Sequence, residues 1–296
     1  MKSKRYIAVI YNPWRQEAKT LAESLATQSG PMSAMVVSLD ELDARIEDLK
    51  SCDVLVSVGG DGTILRIVRA TAFLGIPLLG VNLGRVGFMT ELLDSEVHDR
   101  FYRYFDGSPW IEERTMLDVC VTQSRGALAS RSKLPIGLHA LNEAVVGRGS
   151  GSRPIWVDVK VDGTFLTGYS ADAVIVATAT GSSGYSLSSG GPIIYPGANV
   201  LLLKPVSPQL SLDTGIVIDP SSVLDLELAN AYPGQLSVDG IDTIELDSGD
   251  HVNVRRSALV ARFLRIGERK NILPRLGERL GSPATLKTNI NVESDG

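Results

Sequence analysis

Histidine, cysteine and long apolar runs are all scarce in this chain, and each scarcity closes off a class of function. Only two cysteines occur, Cys52 and Cys120. They lie at or beside runs that read as strands and lack metal-ligand spacing, so the expected setting is a reduced, cytoplasmic one. The three histidines, His98, His139 and His251, are scattered. That argues against a histidine metal site or a Ser-His-Asp triad. No apolar run approaches the roughly 20 residues of a membrane helix. The run at 6–11 is also too short for a signal-peptide core. Positive charge is not in excess either: the formal net charge is −5, which suggests no broad nucleic-acid surface. What is present is ordinary for a globular chain with a real core, with 44% hydrophobic and 21% charged residues over 296 positions, enough for two domains.

Taken in order, the chain changes texture once. Strands are expected at 6–11, 34–38, 54–58 and 78–81, with helices at 14–28 and 40–50, the second capped by Asp40, and another helix following the third strand. Alternation of this kind implies a parallel sheet with ligand loops at the carboxyl ends of its strands. A helix at 94–105 follows, and Asp106-Gly107-Ser108-Pro109 reads as a boundary. Beyond it come short strand-like runs at 116–123, 137–146, 155–161, 173–177, 200–203, 216–218, 223–228, 235–238 and 251–254. They are punctuated by Asp162-Gly163, Asp239-Gly240 and similar turns. The expected fold is therefore α/β plus β. A Rossmann-like α/β domain with a parallel sheet occupies 1–108, a β-sandwich-like domain 109–257. A segment at 258–285 returns to the first domain, and 286–296 form a polar tail.

The densest signal is Gly59-Gly60-Asp61-Gly62-Thr63, directly after the apolar run at 54–58. Ile64, Leu65, Ile67 and Val68 then fall at helical spacing, so the local picture is strand, glycine turn, helix start. Glycine permits unusual backbone angles and close approach of a ligand, and the free N–H groups at a helix start attract phosphate. A carboxylate in such a cradle is awkward unless it binds a cation or takes a proton from a reacting hydroxyl. A tight turn whose Asp61 merely caps the helix is the plainer alternative. The motif lacks the lysine of a P-loop and the spacing of a dinucleotide fingerprint.

A second stretch, 178–192, is dominated by glycine, serine and threonine, yet lies between Val174-Ile175-Val176 and Ile193-Ile194 and carries Tyr185. A flexible linker is one reading. Hydroxyls and amides held between buried segments also suit a ligand rich in hydrogen-bonding groups. Asn142-Glu143 interrupts an apolar run, as does Asp172. Such groups need partners or solvent, and an amide beside a carboxylate matches a ribose diol and a base edge.

Four blocks together make the chain resemble the NAD kinase family: Gly59-Gly60-Asp61-Gly62-Thr63; Asn82-Leu83-Gly84-Arg85-Val86-Gly87-Phe88 with Thr90-Glu91; Leu141-Asn142-Glu143; and Thr180-Gly181-Ser182 through Gly191-Pro192, with Asp172 upstream. The likeness runs over about residues 6–280. It implies an α/β domain followed by a β-rich domain, and homodimers or homotetramers. It also implies transfer of a phosphoryl group from ATP or polyphosphate, with a divalent metal such as Mg²⁺, to the adenosine ribose 2′-hydroxyl of NAD. Carried over, the resemblance makes Asp61 the catalytic acid-base group. The amides of Gly60 and Gly62 face phosphate, and Arg66 adds charge. Asn142 and Glu143 hold adenine and ribose. Thr180, Ser183, Gly184, Tyr185, Ser186, Leu187 and Ser188 line the adenine and ribose, and Asp172 lies toward the nicotinamide. Arg153 and Ser170 complete the candidate binding set, and no side chain is expected to hold a metal. Nucleic acid and membrane are not expected partners.

The chain also departs from the family pattern. Ala179 stands where proline is usual, Ser183-Gly184 where Thr-Ala is, and Ala173 where glycine follows the acid. Gln209 and Thr214 replace a His and an Arg. Ser170 stands where some members carry Arg, and a neutral residue there is expected to loosen selectivity toward NADH or polyphosphate. Two alternatives remain open from sequence: a kinase of another small hydroxyl substrate, such as a sugar phosphate or lipid, and a non-catalytic NAD-binding sensor.

Overall fold

The computed structural model describes residues 5–28, 32–84, 87–122, 136–149, 151, 153–209, 211–230 and 232–267. The expected short helix ending at Gly281, the rest of the returning segment and the polar tail lie outside the described residues. The chain divides into two compact units. One comprises Met1–Ile64, Pro77–Ile111 and Leu264–Gly296, and the other Leu65–Ile76 and Glu112–Phe263.

The first unit is α/β. Strands β1 (Tyr6–Tyr11), β2 (Ser33–Ser38), β3 (Val54–Val58), β4 (Leu78–Asn82) and β5 (Leu92–Leu93) form a parallel sheet in the order β2-β1-β3-β4-β5. All five residues of β3 and of β4 are buried, which is why these runs are apolar without alternation. Helix α1 (Gln16–Thr27) turns Ala18, Ala22 and Leu25 inward, where they join the core of Ile7, Val9, Val54, Val56, Val58, Leu79 and Val81. Two alanines on that face let the helix approach the strands closely.

The helix expected at 40–50 is not continuous. Two single 3₁₀ turns, Leu39–Glu41 and Asp43–Arg45, precede a one-turn helix α2 (Ile46–Leu49), and no side chain caps it. Leu42 and Arg45 each donate to a carbonyl three residues back, and the apolar residues at both ends are spaced by three, a repeat that suits the tighter helix. Helix α3 (Asp61–Thr71) follows β3. The helix expected at 94–105 is divided into α4 (Asp94–Arg100) and α5 (Arg103–Asp106), broken at Phe101-Tyr102, where Phe101 sinks into the core that Tyr104 and Phe105 of α5 also join.

The second unit contains two antiparallel layers around one core. In the first, β6 (Trp110–Thr122) pairs with β7 (Ile136–Ala140). Strands β9 (Ile155–Val161), β10 (Thr164–Ala171) and β14 (Leu224–Leu228) join β17 (His251–Arg265) in the order β10-β9-β14-β17. The second layer is β13-β12-β11-β8-β15-β16, made of β8 (Glu143–Arg148), β11 (Ala173–Thr178), β12 (Leu201–Val206), β13 (Ile216–Ile218), β15 (Gly234–Val238) and β16 (Asp242–Leu246). Side chains from both layers, among them Val119, Val146, Val157, Val174, Leu203, Leu226 and Val252, make a single apolar core. One helix, α6 (Tyr185–Ser188), sits in the glycine- and serine-rich stretch.

The run expected as one strand at 137–146 is two strands, β7 and β8, separated at Leu141-Asn142. Strands β10 and β16 fall outside the runs that read as strands from sequence. Each follows an Asp-Gly turn whose two residues have positive φ, 51° and 78° at Asp162-Gly163 and 51° and 67° at Asp239-Gly240. The first is a two-residue hairpin loop, the setting in which Asp-Gly is favoured. A Cβ at Gly163 would meet nothing within 4 Å, so its only cost is the left-handed backbone. Gly163→Ala should therefore lower the unfolding free energy by about 1 kcal/mol, read from urea melts, without altering the native circular dichroism.

Candidate active site

At the end of β3 the chain turns through Gly59-Gly60 and enters α3 at Asp61, with Thr63 and Ile64 donating back to the Gly60 carbonyl at 3.0 and 3.3 Å. The carboxylate of Asp61 does not cap this helix. It accepts from the N–H of Phe88 at 2.8 Å and of Met89 at 3.1 Å, in the glycine-punctuated loop after β4. The simple helix-capping alternative is thereby removed. Gly87 is required here, because a Cβ would collide with the Asp61 carboxylate. Gly59 is required against the Thr63 side chain, whereas a Cβ at Gly60 or Gly62 would meet nothing within 4 Å. The glycines thus divide into two that packing demands and two that leave the backbone open to approach.

Behind this loop lies a buried ion pair. Arg265 donates from Nη1 to the Met89 carbonyl and to Glu91 Oε2, each at 3.1 Å, and the Tyr104 hydroxyl donates to Glu91 Oε1 at 3.2 Å. Met89 is therefore fixed from both sides: its N–H reaches Asp61 and its C=O reaches Arg265. Arg265 and Glu91 are each nearly inaccessible, so removing either partner would strand a buried charge.

In the second unit, Asn142 and Glu143 sit at the break between β7 and β8. Thr178, at the end of β11, donates its N–H to the Asn142 carbonyl at 2.8 Å and its hydroxyl to the Leu141 carbonyl at 2.6 Å. Its Oγ1 also accepts from Gly181, which lies so close to the Asn142 backbone that any Cβ there would clash. Ser182 knots the following turn, donating to Ala179 at 2.7 Å and accepting from Ile194 at 2.8 Å. The stretch is thus an ordered loop and not a flexible linker.

This folding brings Asn142, Glu143, Thr180, Ser183, Gly184, Tyr185 and Ser186 into one neighbourhood. Gly184 approaches Glu143, where a Cβ would stand 3.0 Å from Oε2. Three buried atoms there, Glu143 Oε2, Thr180 Oγ1 and Ser186 Oγ, have no hydrogen-bond partner among the described residues. Leaving such groups unsatisfied costs about 1–3 kcal/mol apiece, which a ligand with several polar groups would recover. Tyr185 is exposed, Leu187 half-buried and Ser188 exposed.

Other expected residues stand apart from that cluster. Asp172 is half-exposed, with Arg148 at 3.5 Å, and its N–H donates to Val206. The Ser170 carbonyl accepts from the N–H of Gln209 at 2.6 Å. Arg66 is exposed on α3, and Arg153 is exposed in the segment before β9. Among the described residues no group of three or more His, Cys, Asp or Glu side chains could hold a metal ion.

Two features of the site escaped sequence reasoning. The N–H groups of Phe88 and Met89 are main-chain donors, which no residue pattern displays. Asp239 reads in the sequence only as a turn residue, yet its half-buried carboxylate accepts from Leu141, Asn142 and Glu143 at 2.7, 2.8 and 3.0 Å.

Comparison with known proteins gives consistent matches. Residues 12–107 match the model of the ATP-NAD kinase N-terminal domain, and residues 141–266 that of the ATP-NAD kinase C-terminal domain. An NAD kinase of Chloroflexus aurantiacus is 35% identical over 277 residues, covering 93% of this chain and 98% of the relative. One of Dehalococcoides mccartyi is 34% identical over 262 residues, covering 88% and 90%. Among solved structures, yeast NADH kinase complexed with NADH aligns with a TM-score of 0.79 at 25% identity, over 99% of this chain and 90% of that one. An NAD kinase from Archaeoglobus fulgidus in complex with ATP aligns at 0.72 and 24% identity, over 94% and 99%, and shows the shared fold.

The electrostatics of the second cluster give a direct test. Burial, and then the charge of Asp239, push the Glu143 carboxyl from 4.5 up to about 8, with partial relief from the Tyr185 N–H. A raised carboxyl keeps its proton in the folded state after the unfolded state has lost it. Its contribution to stability is complete below pH 4.5 and is lost as pH rises toward about 8. Glu143→Gln, neutral throughout, should flatten this decline and be more stable than wild type at pH 8 by on the order of 1 kcal/mol or more, with little difference at pH 5 in guanidinium melts.

Proposed function

The chain belongs to the NAD kinase family, and on that premise we propose that it phosphorylates the adenosine ribose 2′-hydroxyl of NAD, giving NADP, with ATP or polyphosphate as donor. The observation that carries the reading is the Asp61 carboxylate, held by the Phe88 and Met89 N–H groups beside a glycine turn whose backbone is open.

In this reading the 2′-oxygen bonds to the terminal phosphorus of the donor as the bridging oxygen departs with the remaining phosphates. The hydroxyl proton passes to Asp61. A carboxylate is a weak base for an alcohol, so it accepts this proton late, as the phosphoryl group moves. The two N–H donors fix the carboxylate's plane, so orientation is set before substrate arrives. The open amides at Gly60 and Gly62 face the donor phosphates, and Arg66 adds positive charge. A divalent ion such as Mg²⁺ would neutralise phosphate charge when bound with the donor, since among the described residues no group of three or more acidic, His or Cys side chains could hold it.

Asn142 and Glu143 take adenine and ribose, and the unpartnered oxygens of Thr180 and Ser186 make the surrounding loop receptive to polar groups. Ser183, Gly184, Tyr185, Leu187 and Ser188 complete that wall, and Asp172 meets the nicotinamide end with Ser170 beside it and Arg153 at the margin. The proposal includes a homodimer or homotetramer and a cytoplasmic location, the latter supported by two free cysteines. No described helix is long and apolar enough to cross a membrane.

Purified protein with NAD, Mg²⁺ and either ATP or polyphosphate should form NADP; binding of NAD without NADP would make it a sensor instead. Asp61→Asn keeps the size of the side chain but replaces one acceptor oxygen with a donor. It should lower turnover by roughly 10²–10⁴-fold while NAD binding, followed by calorimetry, stays nearly unchanged. A variant with near wild-type turnover removes Asp61 from the chemistry. Because Ser170 is neutral, NADH should also be phosphorylated at a measurable rate, and strict preference for NAD sinks that part.

A further inference from the structure

The break between β7 and β8 leaves three successive N–H groups, those of Leu141, Asn142 and Glu143, pointing to one side chain. Asp239 Oδ2 accepts from Leu141 at 2.7 Å, and Oδ1 accepts from Asn142 at 2.8 Å and Glu143 at 3.0 Å. The N–H of Asp239 donates in return to the Glu143 carbonyl at 3.0 Å. The placement follows from sheet register. Strand β15 pairs with β8 so that Val238 opposes Ala144, and Asp239, the next residue, falls opposite Glu143. A positive φ of 51° then aims its carboxylate back at the break.

Seen from the other side, the carbonyls of Leu141 and Asn142 are taken by the Thr178 hydroxyl and N–H. Every main-chain group of Asn142-Glu143 thus has a fixed partner: donors go to Asp239, acceptors to Thr178 and to Asp239's own amide. Of the Glu143 carboxyl, Oε2 remains without a hydrogen-bond partner among the described residues.

The arrangement has an electrostatic cost that a turn alone would not require. Asp239 is half-buried beside a buried carboxyl, Glu143, and loss of solvent raises the pKa of both. Glycine would satisfy the turn geometry without that cost, since it adopts positive φ freely. The carboxylate must therefore serve something besides the turn, and what it touches is the backbone of Asn142 and Glu143.

We propose that Asp239 is a positioning residue for substrate recognition, holding the Asn142-Glu143 backbone so that both side chains present a preformed surface to the adenosine part of NAD. The inference rests on the NAD reading above for its ligand, but not for its geometry.

Two variants in the full-length protein separate the roles. Asp239→Asn tolerates the left-handed conformation and keeps one acceptor oxygen; Asp239→Gly keeps the turn and removes every acceptor. The KM for NAD should rise about tenfold in Asp239→Gly and less in Asp239→Asn, with the KM for ATP and kcat at saturating NAD nearly unchanged. Amide hydrogen exchange across Leu141–Glu143 should quicken in the same order. Equal increases in both KM values, or an unchanged KM for NAD in both variants, would overturn the proposal. If the wild-type protein forms no NADP, the kinase reading fails by itself. Hydrogen exchange and the NAD dissociation constant from calorimetry then still decide the point: faster exchange with weaker NAD binding supports a positioning role, and no change in either refutes it.

Discussion

Carboxylates met by backbone N–H groups are the interaction on which the rest of this structure depends. Asp61 is gripped by two such groups from the loop after β4, and Asp239 by three from the break before β8. In each case an acid on one element organises the main chain of another, distant in sequence. A peptide N–H cannot ionise or change rotamer, so its aim is as rigid as the backbone that carries it. Each acid is in turn supported by a further layer. The Asp61 loop leans on the Arg265–Glu91 pair, and the Asp239 contacts are closed from behind by Thr178. Rigid aim of this kind is what phosphoryl transfer asks of a protein, since the chemistry lies in the substrates and the protein chiefly supplies placement.

Sequence pattern reveals the strands that are buried on both faces and the loops that glycine marks. Strands β1, β3, β4 and β11 are read easily because each is a short, unbroken apolar run. The glycine turn at 59–62 stands out because no packing pattern accounts for so many glycines beside one acid. Strands β10 and β16 hide because each pairs with a single named strand among the described residues and carries exposed positions, Phe165 and Leu166 in the first and alternating polar residues in the second. Their partners' main chains hold them, and main chain has no letter code. Strand β17 was legible only at its first four residues, since the exposed Arg255 and Arg256 interrupt the apolar alternation in the middle of a 15-residue strand.

The candidate site was legible to a similar and limited degree. Side chains that would touch a ligand, such as Asp61, Asn142, Glu143 and Tyr185, announce themselves as polar residues within apolar or glycine-rich surroundings. Residues that hold those side chains do not. Asp239 reads as half of an Asp-Gly turn, which it is, and nothing local shows that its carboxylate also collects three amides nearly a hundred positions earlier. Gly87 and Gly59 read like Gly60 and Gly62, although packing forbids a side chain at the first two and permits one at the others. The distinction depends on neighbours brought by the fold.

The unfilled hydrogen-bonding atoms of Glu143, Thr180 and Ser186 bear on how long the molecule lasts as well as on what it binds. Whatever ligand completes them binds the folded chain and not the unfolded one, and so draws the folding equilibrium toward itself by mass action. Degradation in cells follows the population of opened molecules when opening is fast. The chain would then persist longest where its ligand is plentiful and be cleared soonest where the ligand is scarce, so its abundance would follow supply without any separate regulator.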